Sequence, residues 1–459
     1  MYEELKKDDR QNLINFSSAT ILFTFEGFFD IILAMIKKNQ LFVLLFLISF
    51  MFLFFGCNLP EKSSASDEIQ NKQTELSIED LVKTAQAEDP YIPPTEVPGD
   101  ESPEDQVLPE SENPEAEAPE IPSEPTAVPT PTRDPNRKPP ELPAVFQTDL
   151  LHKLDTPHEY ESEICRVIKN RWGEGKAAPG TVVMAIMYHS IIRGEDTSSI
   201  SDPILRANTV TIDQHKQLIR NLHDQGFTAI NTEQFIAFIE SNEWIPERSV
   251  LLIQDDRRHE DNFLEHFKPY YDEWGWQVIN GWISADNTTQ ELWDENARME
   301  ELGLVDHQSH GVVHNINMGD DSSDEFLIGE LKGSVDRIQE HFHKTPRAII
   351  WPGGGFGARP IEIAKEYGYK VGFTTHPRGP VMYNWVPLCD VNDMGRPAYK
   401  MDGNMDPLFV IPRYWNTDAS QHVDTVRQIG KAAQEYYYSI RETELEYYDI
   451  VCADEFGPL

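Results

Sequence analysis

The chain has 459 residues and a formal net charge of −39, a balance that excludes nucleic acid as a partner, because phosphates demand a basic surface. Half of its 32 prolines crowd between Pro90 and Pro143. A length that would serve two or three domains at roughly 100–200 residues each therefore serves one folded domain behind a tail. Much of the acidic excess sits in that tail and says little about the folded part. The four cysteines are Cys57, Cys165, Cys389 and Cys452. None forms a C-x-x-C pair, which argues against a zinc knuckle.

In chain order, Met35-Ile36-Lys37-Lys38 precedes an apolar run from Leu41 to Phe55 that ends in Gly56-Cys57. A basic start, an apolar core and a small residue before Cys make a signal segment. It resembles a bacterial lipoprotein signal over residues 35–57, with Cys57 as the lipidated first residue of the mature chain. Phe54 and Phe55 are bulkier than usual there. The competing reading is a transmembrane anchor, for which this run is short of the roughly 20 apolar residues needed. Residues 1–34 do not fit ahead of such a signal and read as a mis-called extension, with Met35 the start. With Cys57 modified, three cysteines allow one disulfide and a spare thiol in an oxidising compartment, the pairing being open.

Residues 58–145 are rich in Pro, Glu, Ser and Thr. They cannot bury enough apolar surface to fold, and predict a disordered acidic Pro-rich linker, a self-repelling tether. The folded domain, residues 146–459, opens with a helix through Glu159–Trp172 and a buried strand at Thr181–Ser190 that contains Tyr188-His189. Helices are expected at Thr211–Gln225, at Thr232–Ser241 with Thr232 as its cap, at Asn262–Trp274, at Trp293–Leu302 and at Ser323–Phe342. Strands are expected at Phe227–Asn231, Ser249–Ile253, Trp276–Ser284, Ala348–Ile350, Lys370–Thr375 and Leu408–Arg413. Alternating strands and helices imply right-handed crossovers and a parallel α/β barrel with its chemistry at the carboxyl ends of strands.

Two such ends carry chemistry. Ser249-Val250-Leu251-Leu252-Ile253-Gln254 runs into Asp255-Asp256, and burying either carboxylate without a partner would cost several kcal/mol. Something cationic belongs at that strand end. Asp306-His307-Gln308-Ser309-His310-Gly311-Val312-Val313-His314 supplies imidazoles, and oxygen and imidazole donors together suit zinc or a similar first-row ion. Trp351-Pro352-Gly353-Gly354-Gly355 reads as a tight turn after a strand. It lacks the Gly-Lys-Ser/Thr of a phosphate loop.

An Asp-Asp pair closing a strand, followed by Ser-His-x-x-x-His, resembles the polysaccharide deacetylase family (NodB-homology, carbohydrate esterase family 4) over residues 180 to 415. The resemblance implies a distorted (β/α) barrel of about seven strand–helix units. It implies Asp255 as general base, Asp256, His310 and His314 as ligands of a divalent metal, most simply Zn2+, and a substrate groove lined by Trp351, Pro352 and Gly353. His189 matches the Tyr-His that closes the first strand in many members, and Leu408–Arg413 matches a late strand that often ends in Pro-Arg. The implied activity removes acetyl groups from N-acetylated or O-acetylated sugars of an extracellular polysaccharide or peptidoglycan. With the lipid anchor, that places the enzyme outside the cytoplasm, on the bacterial cell membrane.

Three departures stand against this pattern. Arg257 replaces the Gly after the Asp pair, Ile350 stands where a groove arginine is common, and no late Leu-x-His supplies the general acid. His189, His259 and His307 are open as substitutes for it. Arg257 either folds outward onto Glu260 or Asp261 or crosses the groove toward Trp351 as a cation for acidic sugars, and the missing groove arginine favours the second. Taken together the departures also allow a non-catalytic surface lipoprotein that binds glycan.

Overall fold

The computed structural model describes residues 137–459, apart from Glu195, His314 and Asn315. The expectations for residues 1–136, including the signal, the lipidated Cys57 and most of the linker, lie outside the described residues. Among the described residues no helix is long and apolar enough to cross a membrane.

The continuous apolar runs become the central strands. β2 (Val182–Tyr188) is buried at every position, as is β6 (Arg248–Asp255) beyond its first residue, and the two pair in parallel along seven residues. Alternate side chains of these strands enter different cores. Val183, Ala185, Leu251 and Ile253 join one cluster, and Val182, Met184, Ile186, Val250 and Leu252 join another. Burial on both faces is why these runs lack polar alternation, and each such side chain contributes roughly 1.5–3 kcal/mol.

Around that pair the parallel sheet runs in the order β10-β9-β8-β7-β6-β2-β12, with β5 (Thr228–Ala229) beside β6. Its other members are β7 (Val278–Trp282), β8 (Val305–Ser309), β9 (Ala348–Ile350), β10 (Val371–Phe373) and β12 (Tyr414–Trp415). The stretch leading into β12 bridges the two ends. Ile411 pairs with Phe373 of β10, and Tyr414 and Trp415 pair with Ile186 and Met187 of β2. The result is the expected α/β barrel, distorted because that closing element is short. β1 (Asp155–His158) pairs with β11 (Val386–Cys389) antiparallel, and β3 (Ser190–Ile192) pairs with β4 (Thr209–Thr211) in parallel, as separate ribbons.

Several local expectations are corrected. Helix 232–241 is capped by Asn231, whose side chain accepts from Gln234 N, because Thr232 N–H is taken by Asp306 Oδ2 at 2.9 Å. The helix expected over 262–274 is two, Glu260–His266 and Lys268–Trp274, broken at Phe267 ahead of Pro269. Leu408–Arg413 is no strand. Pro407–Phe409 is a 3-10 turn and the strand comes after Arg413. Sequence reasoning missed the helix Ala419–Tyr447, 29 residues long, which buries Val423, Val426, Ile429, Ala433 and Tyr437. It packs on the entrance to β2, where a Cβ on Gly430 would lie 2.8 Å from Gly180 O. Cys165 and Cys452 form a disulfide across a sequence separation of 287, and Cys389 is free and buried.

Candidate active site

β6 delivers Gln254, Asp255 and Asp256 to the carboxyl-end rim. The chain turns there through Asp256 at φ 71°, a left-handed conformation that Asp adopts at some cost and that surrounding contacts must hold. Asn280 on β7 donates to the carbonyls of Gln254 (2.7 Å) and Asp256 (2.9 Å). Gln254 Nε2 donates to Asp255 O at 2.9 Å and to His189 O at 2.7 Å.

Asp255 is only 2% exposed and meets the cation its burial requires. Arg413 Nη1 and Nη2 donate to its two oxygens at 2.6 and 2.9 Å, and Arg413 Nε donates to Thr374 O at 2.8 Å. Burial pushes this carboxyl up. The guanidinium, with His189 and His310, outweighs burial and holds it below its ordinary range. A planar fork on a carboxylate is a geometry that lysine cannot supply. His189 Nε2 lies 3.7 Å from Asp255 Oδ2. Burial lowers the His189 pKa, and Asp255 and Asp256 oppose that shift.

Asp256 faces His310, with Oδ1 3.8 Å from Nε2. His310 Nδ1 sits 2.6 Å from the carbonyl of Ile350. A carbonyl only accepts, so Nδ1 carries a proton, and Nε2 is the nitrogen turned toward Asp256, the orientation a metal-ligating imidazole takes. After His310 the loop is clamped by Glu330 of helix Asp324–Phe342. Its carboxylate accepts from Val312 N at 2.7 Å and Val313 N at 3.0 Å. Burial raises the Glu330 pKa against those bonds. Gly311, at φ 76°, leaves room for that carboxylate, since a Cβ would lie 2.6 Å from Glu330 Oε2.

Among the described residues no group of three His, Cys, Asp or Glu side chains gathers to hold a metal ion. Two of the three implied ligands, Asp256 and His310, do face each other, and the third, His314, lies outside the described residues. One carboxylate oxygen and one oriented imidazole are a donor set that fits a first-row divalent ion.

Other expected site residues fall elsewhere. Trp351 does not line a groove. It is fully buried, with Nε1 donating to Phe409 O at 2.8 Å, because the barrel core takes the indole. Pro352 is buried as well, whereas Gly353 is exposed at φ 58°. Arg257 takes neither expected course, since its Nη1 donates to Asn287 Oδ1 (2.9 Å) and Thr288 Oγ1 (3.1 Å) in the loop after β7. Glu260, one expected partner, is met by Arg298 at 2.9 Å. His307 is fully buried with Nδ1 on Glu300 (2.8 Å) and Nε2 on Asn296 (3.0 Å), so neither nitrogen is free to act as the acid. His259 Nδ1 lies 2.9 Å from Glu295 on the exposed side. Of the three histidines left open, only His189 stands beside Asp255. Sequence reasoning missed the roles of Arg413, Asn280, Glu330 and Arg258. Arg413 alone left a signal, as the end of the Pro-Arg pair.

A parallel barrel with two carboxylates and an oriented imidazole at its carboxyl-end rim is the architecture of a hydrolase centre. The family model described as polysaccharide deacetylase matches residues 246–372, the stretch from before β6 into β10 that holds Asp255, Asp256 and His310. The match identifies residues 246–372 as a polysaccharide deacetylase domain, and with it a class of hydrolases. It is similar to the poly-β-1,6-N-acetyl-D-glucosamine N-deacetylase of Staphylococcus epidermidis, with 26% identity over 212 residues, 42% of this chain and 71% of that protein. Among solved structures, the Streptococcus pyogenes deacetylase PplD in complex with acetate aligns at 20% identity and a TM-score of 0.39, covering 52% of this chain and 93% of that one. A polysaccharide deacetylase from Bacillus cereus aligns at 19% identity and a TM-score of 0.40, covering 55% and 69%.

Proposed function

We propose that this protein is a metal-dependent hydrolase that removes acetyl groups from N-acetylated sugars of a cell-wall or extracellular polysaccharide, acting outside the cytoplasm while tethered by lipid on Cys57. The observation that carries the reading is the division of labour between adjacent carboxylates. Asp255 is locked on Arg413 and kept ionised, whereas Asp256 faces His310.

The ion that Asp256, His310 and His314 would hold supplies Lewis acidity, polarising the acetyl carbonyl and making water a stronger acid. Asp255 takes the proton of the attacking water, and Arg413 keeps its carboxylate charged and aimed. His189, 3.7 Å from Asp255 Oδ2, is the group placed to pass a proton to the leaving amine. The turn around Gly353 edges the same rim. The Cys165–Cys452 disulfide suits an oxidising compartment. A poly-β-1,6-linked N-acetylglucosamine is the first substrate to try, because the S. epidermidis relative is named for it.

The test is acetate release by the full chain from that polymer and from peptidoglycan, before and after a chelator and with zinc restored. Loss on chelation and recovery with zinc supports the reading, with Asp255→Asn inactive throughout. Acetate release that ignores the chelator overturns the metal dependence. Glycan binding with no release under any condition moves the protein to the binding lipoprotein.

A further inference from the structure

The two oxygens of Asp256 face different partners. Oδ1 looks at His310 Nε2, 3.8 Å away, and Oδ2 lies 3.3 Å from Nη2 of Arg258. Arg258 is no loose surface cation, since its side chain is 20% exposed and it is anchored at both ends. Its Nη2 donates to His189 O at 2.5 Å, and its own backbone carbonyl accepts from Asn296 Nδ2 at 2.9 Å. Asn296 is fully buried and fixed in turn, donating to Leu292 O at 2.9 Å and bonding His307 Nε2 through Oδ1. The backbone of Arg258 is thus fixed from the helix Gln290–Glu301, and its guanidinium by the His189 carbonyl.

We propose that Arg258 is a positioning residue that shares Asp256 with the metal: it holds one carboxylate oxygen, keeps the other turned toward His310, and lowers the affinity of the site for divalent cations. The inference rests on the metal reading above.

The argument is one of charge and geometry. Arg413 already cancels the charge of Asp255, and Arg258 meets that of Asp256. A divalent ion therefore enters a centre whose carboxylates are both matched, and a guanidinium is charged at every working pH. A donor on Oδ2 also draws electron density from the carboxylate and stops it rotating into a two-oxygen grip. Calcium takes six to eight oxygens, often with two from one carboxylate, so this arrangement favours a first-row ion over calcium. Removing an outer partner of a metal ligand ordinarily costs about 10- to 100-fold in affinity; here the partner is a cation that competes with the ion for the same carboxylate, which reverses the sign.

The experiment uses the full chain, stripped with a chelator and titrated with Co2+ by visible absorption, with Zn2+ as competitor. Thermal unfolding of each apo protein establishes that it is folded. Arg258→Gln keeps a donor for the His189 carbonyl and removes the charge. It should bind Co2+ about tenfold more tightly than wild type. Arg258→Lys keeps the charge and should stay within about threefold of wild type. Equal or weaker binding by folded Arg258→Gln overturns the proposal, and Arg258→Lys as tight as Arg258→Gln overturns its electrostatic basis. Co2+ bound by none of the three proteins removes the metal reading itself, a failure distinct from wild type and Arg258→Gln binding alike.

Discussion

Replacing Arg413 with Met tests whether Asp255 is the ionised base of this site. Arg413 is 0% exposed and Asp255 is 2% exposed, and they share two hydrogen bonds of 2.6 and 2.9 Å. Removing one partner of such a pair leaves a buried uncompensated charge, at about 3–5 kcal/mol. At roughly 2 °C per kcal/mol for a domain of this size, that is a fall of roughly 6–10 °C in Tm. Burial is the largest influence on Asp255 and raises its pKa, so without Arg413 the carboxyl is harder to keep ionised. A general base lost in this way lowers kcat about 10²- to 10⁴-fold. Arg413→Met combined with Asp255→Asn separates the two effects, because the double variant has no buried charge to strand. It should recover most of the lost stability and none of the activity, with a coupling of at least about 2 kcal/mol. The assays are thermal and urea unfolding and acetate release. An Arg413→Met protein within about 1 kcal/mol of wild type that still releases acetate would falsify the assignment.

Other expectations follow from single features. His215 is 1% exposed, and burial pushes its pKa from 6.5 to about 4. The unfolded chain thus binds a proton below pH 6.5 that the folded one refuses, so about 3 kcal/mol of stability, full above pH 6.5, is lost as pH falls toward 4; urea unfolding of His215→Phe should show a flatter pH dependence over that window. Reducing the Cys165–Cys452 bond, or replacing both residues by Ser, should cost about 2–5 kcal/mol in unfolding experiments, and an unchanged Tm would mean the bond does not form. Cys57→Ser should release the protein from the membrane fraction or stall its processing, and unchanged partitioning would put the anchor elsewhere.

How much of this site was legible follows from the kind of signal each part carries. β6 announces itself because a strand buried on both faces must be apolar throughout, so two carboxylates at its end demand a purpose. His310 is equally visible in its spacing. The cation that answers Asp255 shows only as the end of a Pro-Arg pair, and its role does not, because Arg413 is distant in sequence and arrives through barrel closure, which the register of Ile411 with Phe373 and of Tyr414 with Ile186 reveals. Trp351 misleads for a related reason. An aromatic before a Gly-rich turn looks exposed, yet the strand register turns its indole inward to Phe409 O. Caps fail more locally, since Asn231 and Thr232 are both good cap residues and a tertiary contact from Asp306 decides between them.

The departures that seemed to speak for a silent binding protein weigh differently once the contacts are known. No arginine stands at Ile350, but Arg413, just before β12, holds Asp255 with both donors engaged. A chain that had lost its chemistry would have no reason to hold a buried, ionised Asp255, because an ion pair of this kind is weak evidence for stability and an apolar pair would serve the fold as well. The absent late histidine leaves His189 as the imidazole within 3.7 Å of Asp255. Arg257 points to Asn287 and Thr288 rather than to Glu260 or toward Trp351. The arginine that bears on the centre is thus its neighbour, Arg258, which meets Asp256 itself. If Asp256 is the ligand proposed above, a guanidinium on it changes how tightly a metal is held while leaving Asp255, Arg413 and His189 in place. On the proposed metal reading, metal affinity rather than the identity of the base is the property that Arg258 sets.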